Sequence, residues 1–426
     1  MMNTEHFDRN CILLSTWSEG ETVVHLRNLV PEMRGTQTIA FIDKSTGPIN
    51  NPHDWLKDAI SLNKESFPVF AYYLSKYKSE EAIRFFLAVA ATWGTKKLVV
   101  VEKRTNNRII NVIRKSSLAL DLMLLEQEAG ESIVFRCDNN TPLRHSPYRS
   151  SEEEYLQSWC GVRNGKIANS DMLLSCANEA LRERVGFSFI RVNHCEPRMI
   201  GYPLMYFNSD VYITTRIQWG AEDLSSDDLR YISYELQNSV RMANYIGVPQ
   251  IKKRIEQKLH ILENSVYTLG KNLDLFNEQC CFTNVNVHLE LGSSESFFSM
   301  MRNAERIVLI SGRDVQSALS VRLGQCTIES IPLPAEKEFA DRGYACGVHF
   351  PTVYRNVVSE IRSRDLRGCL VLVGGGILGK IYCREVKERG GVALDIGSLF
   401  DAWAGLNTRG AGFSDRLRLS PTTPSF

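Results

Sequence analysis

A glycine-rich turn late in the chain has the residue types and spacing of a phosphate-binding loop. The stretch VGGGILGK places Gly374, Gly376 and Gly379 in the pattern GxGxxG, between a predicted strand and a predicted helix. Glycine permits a sharp turn there and lets a phosphate approach backbone N–H groups at the start of the helix. Lys380 follows the last glycine, and Asp395 ends the next predicted strand, where dinucleotide-binding folds place an acid against the ribose. The alternative is a tight turn that binds no ligand.

A second cluster lies at the end of another predicted strand, in FIRVNHCEPRMIGYP. It contains Arg191, His194 and Glu196. A histidine and a carboxylate two residues apart can lie on one face and hold a divalent metal such as Mn²⁺ or Mg²⁺. An arginine beside them could pair with a diphosphate. The alternative is a salt-bridged loop without a metal.

Three more segments carry candidate site residues. In DIGSLFDAWAGLNTRG, Asp401 could accept hydrogen bonds from sugar hydroxyls, and Trp403 could either stack on a ligand or pack into the core. In LISGRDV, Arg313 follows a predicted strand, an arrangement common to anion-binding loops and plain turns. In NVNVHLEL, interpreted as a strand, His288 and Glu290 would project from one face. Either could act as a general base, or the whole face could be solvated.

The composition is that of a soluble globular protein. The 426 residues are 43% hydrophobic and 23% charged with a formal net charge of +1, so we do not expect nucleic acid as a partner. The 11 cysteines are scattered without zinc-ligand spacing, which favours reduced thiols. No stretch resembles a signal peptide or a membrane span. We therefore expect a cytoplasmic protein with membrane contact that is at most peripheral. Such a protein could form a homo-oligomer.

The elements that must position these residues divide the chain into two α/β regions. Residues 1–140 alternate short apolar runs with an amphipathic segment over 79–93, which indicates a smaller α/β domain with a mainly parallel sheet. Its predicted strands are 11–15, 38–43, 67–73, 97–102 and 132–137. A polar, proline-containing stretch predicts a linker over 141–165, and residues 166–426 form the second domain.

The second region also alternates strands and helices. Its predicted strands include 187–192, 285–291, 306–311 and 369–374. Its predicted helices include 170–185, 227–247, 251–270, 295–304 and 351–363. The fold class expected for the whole chain is therefore α/β.

The run VGGGILGKIYCREVKERGGVALDIGSLFDAWAGL resembles the C-terminal signature of the GT-D type glycosyltransferase fold, found in bacterial proteins of surface-polysaccharide and glycoprotein glycan synthesis. FIRVNHCEPRMIGYP resembles the strand of that family that ends in an arginine, an acid pair and a turn. The segments NVNVHLEL and RIVLISGRD fall in the expected order between the two. The resemblance covers 170–413, over half the chain.

The resemblance implies a Rossmann-like domain that binds a nucleotide-diphospho-sugar and transfers a hexose to a glycan or lipid-linked acceptor. The family's metal motif is Asp-x-Glu. Glu196 matches its second acid, which would act in catalysis and hold Mn²⁺ or Mg²⁺, and His194 stands in place of the Asp. The nucleotide or diphosphate would be bound by residues among Gly374, Gly376, Gly379, Lys380, Asp395, Arg191 and Arg313. The base for the acceptor hydroxyl would be Asp401, Glu290 or His288.

Two other functions fit parts of the pattern. The GxGxxG turn with Asp395 suits an NAD(P)-linked oxidoreductase, although an NAD domain normally begins with this unit and continues with further strands. His194 in place of the family's Asp suits a non-catalytic partner that binds a sugar nucleotide.

Overall fold

The computed structural model describes most of the chain from residue 150 onward and separate segments before it. The described residues are 11–15, 40–42, 69–73, 84, 87–88, 97–103, 107–129, 132–137, 150–221, 223–253, 258–335 and 347–419. The chain divides into two compact units, 1–151 with 251–268 and 152–250 with 269–426. Of the helix predicted over 79–93, only Arg84, Leu87 and Ala88 are described, and these are helical. The rest of that helix lies outside the described residues.

The described elements follow in chain order. The strands are β1 (Cys11–Ser15), β2 (Ala40–Ile42), β3 (Val69–Tyr73), β4 (Lys97–Lys103), β5 (Leu124–Ala129), β6 (Ser132–Cys137), β7 (Ile167–Ala168), β8 (Phe187–Arg191), β9 (Tyr245–Val248), β10 (Cys281–Asn284), β11 (Arg306–Ser311), β12 (Ile328–Pro332), β13 (Cys369–Gly374) and β14 (Val392–Asp395). The helices are α1 (Asn107–Ala119), α2 (Glu152–Cys160), α3 (Ser170–Glu183), α4 (Glu196–Ile200), α5 (Asn208–Trp219), α6 (Ser226–Met242), α7 (Lys258–Asn272), α8 (Val287–Leu291), α9 (Glu295–Asn303), α10 (Gln316–Leu323), α11 (Tyr354–Arg362), α12 (Gly379–Glu388) and α13 (Leu399–Trp403).

Within the described residues, the first unit contains a mixed sheet in the order β2-β3-β1-β4-β6-β5. The four strands from β2 to β4 run parallel, as the alternation of apolar runs predicts. Strands β5 and β6 pair antiparallel at one edge, and β5 was not predicted. Its sequence LLEQEA is largely exposed at the sheet edge, so it lacks the apolar run typical of a buried strand.

The described part of the second unit forms a parallel sheet in the order β12-β11-β13-β14-β8-β9-β10-β7. Every strand pairing in it is parallel, and the predicted strands at 187–192, 306–311 and 369–374 are confirmed. The chain is therefore α/β, with a Rossmann-like sheet in the second unit and a smaller α/β unit before it.

Helices cover both faces of this parallel sheet. Successive side chains of a strand point to opposite faces. Leu370 and Leu372 of β13 lie in a buried cluster with Leu173 of α3 and Phe297 of α9. On the other face, α12 packs on β8, β13 and β14, where Gly379 approaches Val373 closely. Burial on both faces explains why these strands are continuous apolar runs rather than alternating ones.

The strand order reverses between β8 and β14. From β8 the chain proceeds outward through β9 and β10, whereas β14 is reached from the opposite side through β11 and β13. At such a switch point the connections leave in opposite directions, so a crevice opens outside the carboxyl ends of the two central strands. Arg191 ends β8 and Asp395 ends β14, so two predicted site residues meet at this crevice.

Two predicted elements of the second unit were wrong. The helix predicted over 227–247 ends at Met242, because the apolar residues Tyr245–Val248 pair as β9 between β8 and β10. NVNVHLEL is not a strand, since β10 stops at Asn284 and α8 follows. The Asn284 side chain accepts a hydrogen bond from the backbone N–H of Asn286 at 2.8 Å, a local bond that turns the chain out of the sheet.

No helix in the described ranges is both long enough and apolar enough to cross a bilayer.

Candidate functional site

A cavity of about 400 Å³ opens at the carboxyl edge of the parallel sheet. Strands β8, β11, β13 and β14 end there in Arg191, Ser311, Gly374 and Asp395, and the last turn of α5 adds Trp219. In open α/β sheets, ligands bind outside the carboxyl ends of the strands at the switch point. The cavity therefore occupies the position at which this fold binds a ligand.

Lys380 is the buried cation at the floor of the cavity. Its Nζ lies 2.8 Å from Glu196 Oε1 and 3.1 Å from Asp395 Oδ2, and it donates to the Gly376 carbonyl oxygen at 2.9 Å. The three side chains are each 5% exposed or less. Glu196 Oε2 also accepts from the backbone N–H of Asn193 at 2.8 Å. Lys380, which the sequence placed in a phosphate-binding loop, thus holds the two acids Glu196 and Asp395.

Arg191 links this cluster to the next strand. Its Nη2 lies 3.2 Å from Asp395 Oδ1, and its Nε donates to the Asp395 carbonyl oxygen at 3.1 Å. Burial raises the pKa of the Asp395 carboxyl, but Arg191 and Lys380 lower it more, so that pKa falls below its usual range. The carboxylate therefore stays ionised, and its two oxygens are engaged by protein cations.

His288 positions Arg191 rather than facing the cavity. Arg191 Nη1 lies 2.9 Å from the ring nitrogens of His288, and His288 Nε2 lies 3.1 Å from Ser398 Oγ. Burial and the neighbouring Arg191 hold the pKa of His288 well below its usual range. A neutral imidazole offers one acceptor nitrogen, which suits a guanidinium that can only donate.

The shared strand face predicted for His288 and Glu290 does not exist, because both residues lie on α8. Residues two positions apart on a helix point about 200° away from each other, and only His288 turns inward. Glu290 is exposed, and neither residue is among those that line the cavity. The shared face predicted from strand alternation is therefore wrong, and both residues lie outside the cavity lining.

Arg313 and Asp401 form a second ion pair on the cavity wall. Arg313 Nε donates to Asp401 Oδ1 at 2.7 Å, and the Thr408 hydroxyl donates to Asp401 Oδ2 at 2.9 Å. The Ser311 hydroxyl accepts from the Arg313 backbone N–H at 3.0 Å, which fixes the turn after β11. The loop after β11 and helix α13 thus present one charged pair to the cavity.

The glycines of the turn each have a local structural reason. A Cβ on Gly374 would lie 2.6 Å from Phe400 Cδ2, Gly376 has a φ of 55°, and a Cβ on Gly379 would lie 3.1 Å from Val373 Cγ1. Gly374, Gly375 and Gly376 line the cavity, whereas Gly379 packs under it. The turn therefore shapes the cavity wall and carries α12, with Lys380, to its floor.

Comparison with protein families matches residues 168–403 to the GT-D-like family, described as a GT-D fold-like domain. The matched range runs from the end of β7 to α13 and so contains the parallel sheet except Ile167, together with most of the residues that line the cavity. The chain belongs to the GT-D-like family. No curated protein and no solved structure matches it.

The residues of this GT-D-like domain do not fit the divalent metal that the family motif implies. Glu196 already accepts from Lys380 and from the Asn193 backbone, so its oxygens are taken by protein donors. His194 lines the cavity beside it. Among the described residues, no group of three or more His, Cys, Asp or Glu side chains converges to hold an ion. The space between the carboxylates of Glu196 and Asp395 is occupied by the ammonium group of Lys380.

Three polar residues of the GT-D-like cavity were not found from the sequence, whereas Arg409 belongs to the polar loop after Asp395 that the sequence had indicated. Asn193 Oδ1, Gln218 Oε1 and Trp219 Nε1 are buried and have no hydrogen-bond partner among the described residues. The guanidinium of Arg409 lines the cavity without an ion pair or hydrogen bond in the same part of the chain. Gln218 and Trp219 end a surface helix, and their spacing gives no sign that they face a ligand.

Trp403, for which the sequence left two interpretations, belongs to the core of the GT-D-like domain. It is buried against Phe297, Phe298 and Phe400, with ring centroids 5.9 to 6.3 Å apart. Its ring therefore anchors α13 behind the cavity, so that Asp401 on the same helix faces Arg313.

Proposed function

We propose that this chain is a glycosyltransferase that moves a hexose from a nucleotide-diphospho-sugar to an acceptor glycan, in the synthesis of a bacterial surface polysaccharide or glycoprotein. The proposal rests on one observation above all. One cavity at the switch point combines Arg409, a cation that has no ion pair or hydrogen bond with the described residues, with buried polar atoms of Asn193, Gln218 and Trp219 that have no hydrogen-bond partner among them either. A ligand that carries both an anion and several hydroxyl or amide groups would satisfy all of them.

The anionic part of such a ligand is best matched to the arginine side of the cavity. Arg409 supplies a guanidinium that can bind phosphate oxygens in a bidentate manner. The backbone N–H groups of Gly375 and Gly376 donate no hydrogen bond within the described ranges, and these residues line the same cavity. Together they would stabilise the charge that develops on the leaving nucleoside diphosphate.

The hydroxyl-bearing part would be bound on the side of α5. An amide oxygen that is buried without a donor loses stabilisation of about 1–3 kcal/mol, which a ligand hydroxyl can restore. Gln218 and Asn193 each present such an oxygen, and Trp219 presents a buried N–H donor. This complement of acceptors and a donor suits the hydroxyl groups of a hexose.

Asp401 is the carboxylate that we assign as base for the acceptor hydroxyl. Among the described residues, the acids that line the cavity are Glu196, Asp395 and Asp401. The side chains of Glu196 and Asp395 are 5% exposed or less and are held by Lys380, whereas that of Asp401 is 17% exposed on the cavity wall. Arg313 and Thr408 orient Asp401 through one lone pair on each oxygen, which leaves the remaining lone pairs for a hydroxyl proton. The hydroxyl proton would pass to Asp401 as the hydroxyl oxygen bonds to the sugar carbon and the diphosphate leaves with the bonding electron pair.

The oxidoreductase alternative is not supported by the geometry of Asp395. In that alternative Asp395 would accept hydrogen bonds from a ribose. Its side chain is 3% exposed, and its oxygens already contact Arg191 and Lys380. We therefore do not carry this function further.

Isothermal titration with UDP-, GDP- and TDP-sugars, with and without Mn²⁺, tests the proposal. We expect one of them to bind, with loss of affinity in Arg409→Ala. Release of the nucleoside diphosphate on addition of an acceptor would then establish transfer. Absence of binding by the whole panel would contradict the proposal. Binding without release with any acceptor would favour the non-catalytic, sugar-nucleotide-binding alternative that His194 suggested.

A further inference from the structure

The ammonium group of Lys380 is fully used by the protein. An ammonium has three N–H donors. These face Glu196 Oε1 at 2.8 Å, Asp395 Oδ2 at 3.1 Å and the Gly376 carbonyl oxygen at 2.9 Å. The lysine reaches this position from the first turn of α12, directly beneath the glycine turn.

The charges around Lys380 balance. Glu196 and Asp395 contribute two negative charges, and Lys380 and Arg191 contribute two positive charges. Burial lowers the pKa of Lys380, but Asp395 and Glu196 raise it more, so the ammonium keeps its proton throughout the physiological range. Two carboxylates brought this close would repel each other strongly without a cation between them.

We propose that Lys380 takes the place of a divalent cation in this site, so that the cavity binds its anionic ligand without a metal. Glu196, the acid that matches the family's metal motif, and its neighbour Asp395 instead hold a cation that belongs to the chain. A metal could enter only by displacing a buried ammonium from three acceptors, and Arg191 would then lie beside the ion with an unbalanced charge.

Unlike a free metal ion, Lys380 is part of the chain and also holds the glycine turn in position. Through the Gly376 carbonyl, Lys380 holds the turn whose glycines line the cavity. The electrostatic support for the ligand is therefore built into the fold, because Lys380 joins the turn to the ends of β8 and β14. The nature of the ligand rests on the proposed function, whereas the position of the cation does not.

The test measures Mn²⁺ binding to the full-length protein alone, by electron paramagnetic resonance of the free ion. Wild type should bind no Mn²⁺ at micromolar to millimolar concentrations. Lys380→Ala frees both carboxylates and leaves room for an ion, so it should bind Mn²⁺ in this range. Its affinity should exceed the upper limit set by wild type by about 10- to 100-fold, the scale on which groups around a metal site change metal affinity. The matched control is Lys387→Ala, on the same helix but bonded to the Met242 carbonyl outside the cavity, and it should behave as wild type.

Two outcomes would overturn the proposal. One is stoichiometric Mn²⁺ binding by wild type that is lost in Glu196→Gln. The other is a folded Lys380→Ala protein, by circular dichroism, that binds Mn²⁺ no better than wild type. If Lys380→Ala does not fold, Lys380→Gln takes its place, and the wild-type measurement decides by itself whether the site holds a metal. Because no nucleotide is present, failure of the proposed function would leave this result unchanged.

Discussion

Arg191 and Asp395 end two neighbouring parallel strands that belong to opposite halves of the sheet, and their side chains meet with Nη2 3.2 Å from Oδ1. The pair therefore marks the switch point of the fold. Lys380 joins it from α12 and His288 joins it from α8. Four elements from three separate parts of the sequence, β8, α8 and the consecutive pair α12 and β14, thus converge on one charged cluster at the floor of the cavity.

Replacement of Arg409 with alanine should weaken binding of a diphosphate ligand without loss of stability. The side chain is exposed at the cavity and makes no ion pair in the described part of the chain, so little folding energy depends on it. A lost charge-assisted phosphate contact corresponds to about tenfold in Kd. Titration of the bound nucleotide-sugar measures it, with Arg416→Ala, an exposed arginine outside the cavity, as the control. Equal affinity of both variants would remove Arg409 from the binding site.

A methyl group at Gly397 should disturb the ligand site through Arg191. A Cβ at this position would collide with the Arg191 guanidinium, and the backbone has a φ of 42°. Gly161→Ala is the matched control, because its φ of 69° imposes the same type of strain, whereas no atom of the described residues other than its chain neighbours lies within 4 Å of the new Cβ. Both variants should lose about 1 kcal/mol from the strained backbone. Only Gly397→Ala should also lose ligand affinity in titration. Unchanged affinity would show that ligand binding does not depend on the position of the Arg191 guanidinium.

Acid should destabilise the protein through two buried histidines. Burial and Arg191 keep the pKa of His288 well below its usual value, and burial lowers the pKa of His349 to about 4. The unfolded chain takes up these protons below pH of about 6.5, whereas the folded chain does not. The free energy of unfolding is therefore highest above that pH, where both histidines are neutral in either state. It falls as the pH drops, by up to about 1.4 kcal/mol per pH unit for each histidine.

Urea unfolding at several pH values measures this linkage. Between pH of about 6.5 and about 5, the unfolding free energy of wild type should fall as the pH is lowered. In His288→Asn it should fall less steeply, by up to about 1.4 kcal/mol per pH unit, because one fewer proton is taken up on unfolding. His349→Asn should reduce the slope of unfolding free energy against pH by a similar amount, and the double variant should show both reductions. His349 Nε2 lies 2.7 Å from the Tyr382 hydroxyl, away from Arg191, so the two effects should add. An unchanged slope in His288→Asn would show that this histidine protonates in the folded state.

The pair of Arg313 and Asp401 should contribute to stability as a unit. Their side chains are 7% and 17% exposed, so removal of one partner leaves the other charge poorly solvated. Arg313→Gln should lower the unfolding free energy by about 3 kcal/mol, and adding Asp401→Asn should restore part of that loss. Urea unfolding at neutral pH measures it. Asp227→Asn, in the exposed pair with Arg230, should leave the stability unchanged. Purely additive effects of the two substitutions would contradict the coupling.

The sequence alone determined the elements whose signals are local. Continuous apolar runs identified the central strands because a strand buried on both faces needs no alternation. The glycine spacing located the turn before α12, and strand ends located Arg191, Glu196 and Asp395. Where a local signal was weak or ambiguous, as in polar β5 or in NVNVHLEL, the prediction failed.

The tertiary structure decided what those residues contact. The pattern that placed Lys380 in a phosphate loop could not show that its ammonium lies between Glu196 and Asp395, because that contact depends on β8 and β14 being neighbours. Likewise, Gln218 faces the cavity only through the packing of α5. Strand order and helix packing are set by long-range burial rather than by local periodicity. They determine which charges meet, and so whether a carboxylate faces a ligand, a metal or a lysine.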